Sequence, residues 1–92
     1  MTKRRVHVYI SGKVQGVFFR SFLKEKADEL DILGLTKNTV DNKVEAVLEG
    51  ETRRINKMID LCKKGPRFAK VDGMKVVEED YKGEFTNFTI LR

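Results

Sequence analysis

The chain has 92 residues, 40% of them hydrophobic and 36% charged, with a formal net charge of +5 at pH 7. That length suits a single domain over residues 1–92 that withdraws roughly 60–70% of its unfolded surface from water, and the composition is too apolar for a disordered chain. One cysteine, Cys62, and one histidine, His7, exclude an internal disulfide and any multi-cysteine metal site, and no apolar run approaches the ~20 residues of a membrane span.

The basic start, MTKRRVHVYI, alternates like a strand and lacks the long apolar stretch of a signal peptide, so the reducing cytoplasm is the expected compartment. Within it, residues 5–11 place Val6, Val8 and Ile10 on one side and Arg5, His7 and Tyr9 on the other, a half-buried strand. A loop, GKVQGVFF, follows. Residues 21–34 carry Phe22, Leu23, Ala27, Leu30 and Leu33 at helical spacing, with Ser21 as the expected N-terminal cap and Gly34 as the expected stop. Two short strands, at 35–40 and 43–50, flank Asp41-Asn42, a pair that tolerates positive φ and so predicts a tight hairpin. In the second of them Val44, Ala46 and Leu48 alternate with Glu45, Val47 and Glu49. A second helix over 51–64 sets Ile55, Met58, Ile59 and Cys62 on one face and ends at Gly65-Pro66. A strand at 68–79, with Gly73 marking a bulge, and a last one within 83–92 complete the chain.

Two strand–helix–strand units with right-handed crossovers put both helices on one face of one sheet. The expected class is therefore α+β: a ferredoxin-like βαββαβ sandwich, with an antiparallel sheet, two helices on one face and an extra or split C-terminal strand. Each helix is expected to cross over to a parallel neighbour. This architecture has many uses and assigns no function.

The stretch KVQGVFFRS, residues 13–21, carries chemistry. A helix beginning near Ser21 leaves its first N–H groups without partners, and with the helix dipole these favour an anion. Gly16 lets the preceding backbone curl so that successive N–H groups converge. Arg20 adds a planar fork of donors matched to phosphate oxygens. The pattern is not a Walker loop, because GxxxxGK[ST] is absent.

The segment GKVQGVFFR closely resembles the signature loop of the acylphosphatase family, commonly G-x-V-Q-G-V-x-F-R. GLTKN is similar to the family's second motif, usually G-W-V-x-N, and CKKGPRFAKV and NFTIL resemble its later segments. The resemblance runs from about Val6 to the C-terminus and implies the same sandwich fold. It implies an enzyme that hydrolyses acyl phosphates to a carboxylate and inorganic phosphate, with no metal or other cofactor. By the same resemblance Arg20 binds the phosphate, Asn38 holds the attacking water, and the backbone N–H groups of Gln15, Gly16, Val17, Phe18, Phe19 and Arg20 form the phosphate-binding loop. Two positions depart from the family pattern: Leu35 stands where Trp is frequent, and Thr36 where Val is usual. Both are expected to be packing changes on the strand that carries Asn38.

The expected partners are a small-molecule acyl phosphate and inorganic phosphate, acting on a monomer away from membranes. A regulatory or non-catalytic domain that kept the anion pocket is a second reading. An RNA-binding module is a third, with Tyr9 as a stacking platform, but the third strand has no aromatic, and Glu45 and Glu49 would repel phosphate. His7 is expected to be a residue of the open sheet face and Cys62 a packing residue. Thr39 is a candidate brace beside Asn38, and Lys3-Arg4-Arg5 and Arg53-Arg54 are expected to be solvated surface.

Overall fold

The computed structural model describes residues 2–91. The elements in chain order are β1 (Lys3–Lys13), α1 (Phe19–Glu29), β2 (Leu33–Asn38), β3 (Val44–Glu51), α2 (Thr52–Lys64), β4 (Lys70–Glu79) and β5 (Phe88–Ile90). They form one five-stranded sheet in the order β4-β1-β3-β2-β5, with α1 packed on β2 and β5 and α2 on β1, β3 and β4. The ferredoxin-like α+β sandwich is present, with three differences from expectation. The sheet is mixed, because β5 runs parallel to β2 with Gly34 opposite Phe88. β1 and β2 are parallel but not neighbours, since β3 lies antiparallel between them. Likewise β1 separates β3 from β4. The residue that closes the sequence, Arg92, lies outside the described residues.

The alternation of β1 sets the core. Val6, Val8 and Ile10 are fully buried opposite Leu48, Ala46 and Val44 of β3. Above them sit Phe19, Leu23 and Ala27 of α1, Ile55, Met58 and Cys62 of α2, and Phe88 of β5. Each large aliphatic chain so enclosed contributes about 1.5–3 kcal/mol relative to exposure. Burial pushes the Cys62 thiol up to about 12, so it packs as a small apolar group.

Helix α1 departs from its periodicity at both ends. It starts at Phe19, two residues before Ser21, and stops at Glu29 with Leu30 as its C-cap. Leu33 continues the helical spacing of Ala27 and Leu30, yet Asp31 takes a left-handed φ of 55° and turns the chain into β2. Gly34 is therefore a strand residue and no helix stop. It has φ +148°, and a Cβ there would stand 1.8 Å from the carbonyl oxygen of Val47. Only glycine lets β2 approach β3 so closely. In the β2–β3 turn, Asn42 alone of the Asp41-Asn42 pair adopts positive φ, and the Thr39 amide donates to the Lys43 carbonyl at 2.9 Å. Ser11 pairs with Gly73 and Gly12 with Val71, so the bulge falls on Asp72, beside the glycine that signalled it.

The other sheet face carries a polar cluster. Arg5 is buried, contrary to the expectation of a solvated basic run. Its guanidinium donates to Glu79 at 2.8 Å, Glu49 at 3.1 Å and Glu84 at 2.5 Å. Arg4 also pairs, with Glu78 at 2.7 Å, and Arg54 lies 3.2 Å from Asp31. Glu49 is only 2% exposed, lying beneath the segment at 80–87, and does not present charge to solvent as its strand pattern suggested. Burial pushes its carboxyl up, but the Lys82 amide, Arg5 and the Gly83 amide together outweigh that and hold it below the usual range.

Gly34→Ala is expected to cost about 3 kcal/mol or more in urea unfolding. Gly50→Ala, whose added methyl meets nothing closer than 3.5 Å, is expected to stay within about 1 kcal/mol. Because the folded-state pKa of Glu49 lies below its ordinary value of 4.5, its contribution is complete above that value and lost as pH falls through the lower, folded-state value. Urea unfolding followed from pH 7 down to about pH 3 should therefore show a shallower acid-side loss of stability in Glu49→Gln than in the parent.

Candidate active site

Topology decides which side chains meet. β1, β2 and β5 all run in one direction, so their carboxyl ends, at Lys13, Asn38 and Ile90, share one end of the sheet. The chain leaving β1 there makes a short loop and enters α1. Val14 and Val17 fix that loop by burying their side chains. Gln15 ties it to the next hairpin, its Nε2 donating to the carbonyls of Thr39 and Lys43 at 2.9 Å each. Gly16 has φ +72° with open space where a Cβ would be, so glycine answers the dihedral and not crowding. Phe18 also lies in the left-handed region, at φ 64° and ψ 27°, an uncommon place for a bulky residue.

The abrupt turn at Phe18 starts α1 without a side-chain cap and without an acidic residue in the first turn. The Phe22 amide donates to the Phe18 carbonyl at 3.0 Å. The amides of Phe19, Arg20 and Ser21 therefore have no intrahelical acceptor, and no acidic side chain in the first turn offsets the positive end of the helix dipole. The earlier start matters: it places Arg20 and its amide inside this uncapped turn.

Beside the turn lies a cavity of about 330 Å³. Val14, Gly16, Phe18, Phe19, Arg20 and Ser21 line it from the loop and α1, Asn38 from β2 and Ile90 from β5. Of the loop residues singled out from sequence, Gly16, Phe18, Phe19 and Arg20 border the cavity. Gln15 and Val17 do not; they brace the loop from behind. Arg20 is half-buried, and its Nη1 donates to the Leu91 carbonyl at 3.1 Å. Leu91 is itself fixed by its amide, which donates to Thr36 at 2.8 Å. These braces on the guanidinium and the loop were not legible in the sequence, because a main-chain acceptor carries no residue-type signal.

Asn38 ends β2 opposite Val44, on the helix-bearing side of the sheet. The departures at Leu35 and Thr36 fall on opposite faces of this strand. Thr36 is buried toward the helices and satisfies its hydroxyl by donating to the Glu45 carbonyl at 2.9 Å, whereas Leu35 is half-buried opposite Val47. Thr39 braces the turn beyond: its hydroxyl accepts the Lys43 amide at 3.0 Å and donates to Asp41 at 2.5 Å.

The open face of the sheet holds a different chemistry. His7 stacks on Tyr9 with centroids 4.7 Å apart and lies between carboxylates, 2.6 Å from Glu45 and 3.1 Å from Glu79. Those partners come from β3 and β4, so chain proximity gave no hint of them. With His7 on one side of its ring and Glu45 nearby, Tyr9 is poorly placed as a base-stacking platform. A wider depression of about 610 Å³ on this face sets Lys43 and Lys75 against Asp41 and Glu45. Its mixed signs give no anion cradle, and it includes neither Arg20 nor Asn38. No helix among the described residues is long and apolar enough to cross a membrane.

Comparison with known proteins bears on the family and the fold. The acylphosphatase family model matches residues 6–90. An acylphosphatase from Syntrophobacter fumaroxidans is 46% identical over 90 residues, covering 98% of this chain and 93% of the relative. The crystal structure of an acylphosphatase from Bacillus subtilis superposes with a TM-score of 0.93 at 30% identity, over 97% of this chain and 99% of that one. Full-length HypF in a phosphate- and nucleotide-bound form contains a similar unit, with a TM-score of 0.87 at 26% identity over 99% of this chain but 12% of its own. With the motif loop, the sandwich and the matched length in agreement, the chain belongs to the acylphosphatase family.

Proposed function

We propose that the protein hydrolyses acyl phosphates to a carboxylate and inorganic phosphate. The observation that carries this reading is the shared cavity, in which an uncapped helix turn, Arg20 and Asn38 border one space. The loop and first-turn amides with Arg20 bind the phosphoryl oxygens. Arg20 is suited to this because its described partner is a neutral carbonyl, which orients the fork without neutralising it. Asn38 positions the attacking water: its amide oxygen accepts a hydrogen bond from the water and its nitrogen can donate one, though it cannot act as an effective base near neutral pH.

The water oxygen bonds to phosphorus as the bond from phosphorus to the acyl oxygen breaks, and the carboxylate departs with the electron pair. A phosphoryl oxygen takes the water's proton. The leaving group is a weakly basic carboxylate, so no general acid is required. Phosphoryl transfer through a loose transition state asks mainly for positioning and charge stabilisation, which the loop provides. Residues 1–92 form one unit in this reading. It works as a monomer in the reducing cytoplasm, a placement that rests on the single cysteine and the absence of any disulfide.

Hydrolysis of acetyl phosphate in the presence of a chelator tests the reading, and no turnover would overturn it. Arg20→Ala is expected to lower kcat/KM by about 10³-fold, with little recovery in Arg20→Lys, because an ammonium cannot reproduce the planar fork. Asn38→Ala should lower kcat about 10²-fold while competitive inhibition by inorganic phosphate changes little; full turnover in that variant would remove Asn38 from its role. Leu91→Pro deletes the amide that fixes the Arg20 brace and is expected to weaken phosphate inhibition about fivefold.

A further inference from the structure

We propose that the side chain of Phe18 is the acyl-group contact of this site and makes the protein favour acyl phosphates with bulky apolar, above all aromatic, acyl groups. This inference rests on the acylphosphatase reading above and extends it from the phosphate to the rest of the substrate.

The two phenylalanines of the loop are treated in opposite ways. Phe19 is 2% exposed and packs in the core, whereas Phe18 is 79% exposed while still bordering the cavity. A residue that is solvent-facing and also borders the cavity stands at its mouth. Single exposed apolar residues are ordinary, but this one sits at a left-handed backbone position where glycine or asparagine would be less strained. The loop thus holds a large ring at its rim in a conformation that disfavours large residues. Ile90, half-buried, adds a second apolar surface to the same wall.

Substrate geometry supplies the reason. In-line displacement sets the attacking water and the leaving oxygen on opposite sides of phosphorus. With the phosphoryl group in the cradle and the water at Asn38, the acyl group has to project out of the cavity. The space of about 330 Å³ is at the small end for ligand sites, and the exposed Phe18 stands on its border. There the Phe18 ring offers an apolar face, and an aromatic acyl group can stack on it with an offset. Inorganic phosphate has no acyl part and does not use this contact.

The test compares kcat/KM for benzoyl phosphate and acetyl phosphate in the parent, Phe18→Ala, Phe18→Gly and Phe18→Tyr. Disturbance of the loop itself acts on both substrates and cancels in their ratio. The benzoyl-to-acetyl ratio is expected to fall about tenfold in Phe18→Ala. It should fall similarly in Phe18→Gly, which removes the ring while suiting the left-handed backbone, and stay near the parent value in Phe18→Tyr, which keeps the ring. A ratio within about twofold of the parent in both the alanine and glycine variants, with both substrates still hydrolysed, would overturn the role of Phe18 and leave the acylphosphatase reading standing. A parent protein that hydrolyses neither substrate would instead overturn the reading on which the inference rests.

Discussion

A helix that begins without a cap leaves main-chain N–H groups with nothing inside the helix to bond, and the proposed chemistry depends on where this protein leaves them. The left-handed turn at Phe18 starts α1 abruptly, and neither a capping side chain nor an acidic residue fills the first turn. In an ordinary surface helix such a defect is covered by serine, threonine, aspartate or asparagine at the cap. Here it opens beside Arg20 and a cavity, and in the proposed reading an anion from solution completes it.

The sheet converts that local defect into a defined site. Parallel β1, β2 and β5 bring the loop, Asn38 and the end of β5 to one edge. The close approach of β2 to β3 at Gly34 fixes the strand that carries Asn38. Gln15 stitches the loop to the hairpin beyond Asn38, and the Leu91 carbonyl holds the arginine fork. None of these braces supplies charge. They remove freedom from groups that would otherwise have to be ordered by the substrate.

Two arginines show how partner choice decides the use of a charge. Arg5 sits among Glu49, Glu79 and Glu84; its charge is neutralised and its role is to hold the 80–87 segment over the open face. Breaking such a buried pair leaves an uncompensated ion, which costs more than the pair contributes. Arg20 is oriented by a neutral carbonyl, and its charge stays available to a phosphate. The residue type is the same in both places, and the neighbours separate a structural ion from a proposed binding one.

By itself the sequence determined the pattern of elements, the apolar face of β1, the core stripe of α2 and the loop-to-helix corner at Arg20, because alternation, helical spacing and glycine placement are local properties of the chain. The family motifs also singled out Asn38, which borders the cavity, though its spacing alone would suit a turn residue. Tertiary structure decided what depends on distant neighbours. The continued spacing at Leu33 resembles helix until Asp31 turns the chain and Gly34 is pressed against Val47. Arg5 reads as surface until three carboxylates, brought by the sheet and the 80–87 segment, surround it. The burial of Phe19 and the exposure of its neighbour Phe18 were equally hidden, because a residue's environment is set by what folds against it and not by its place in the chain.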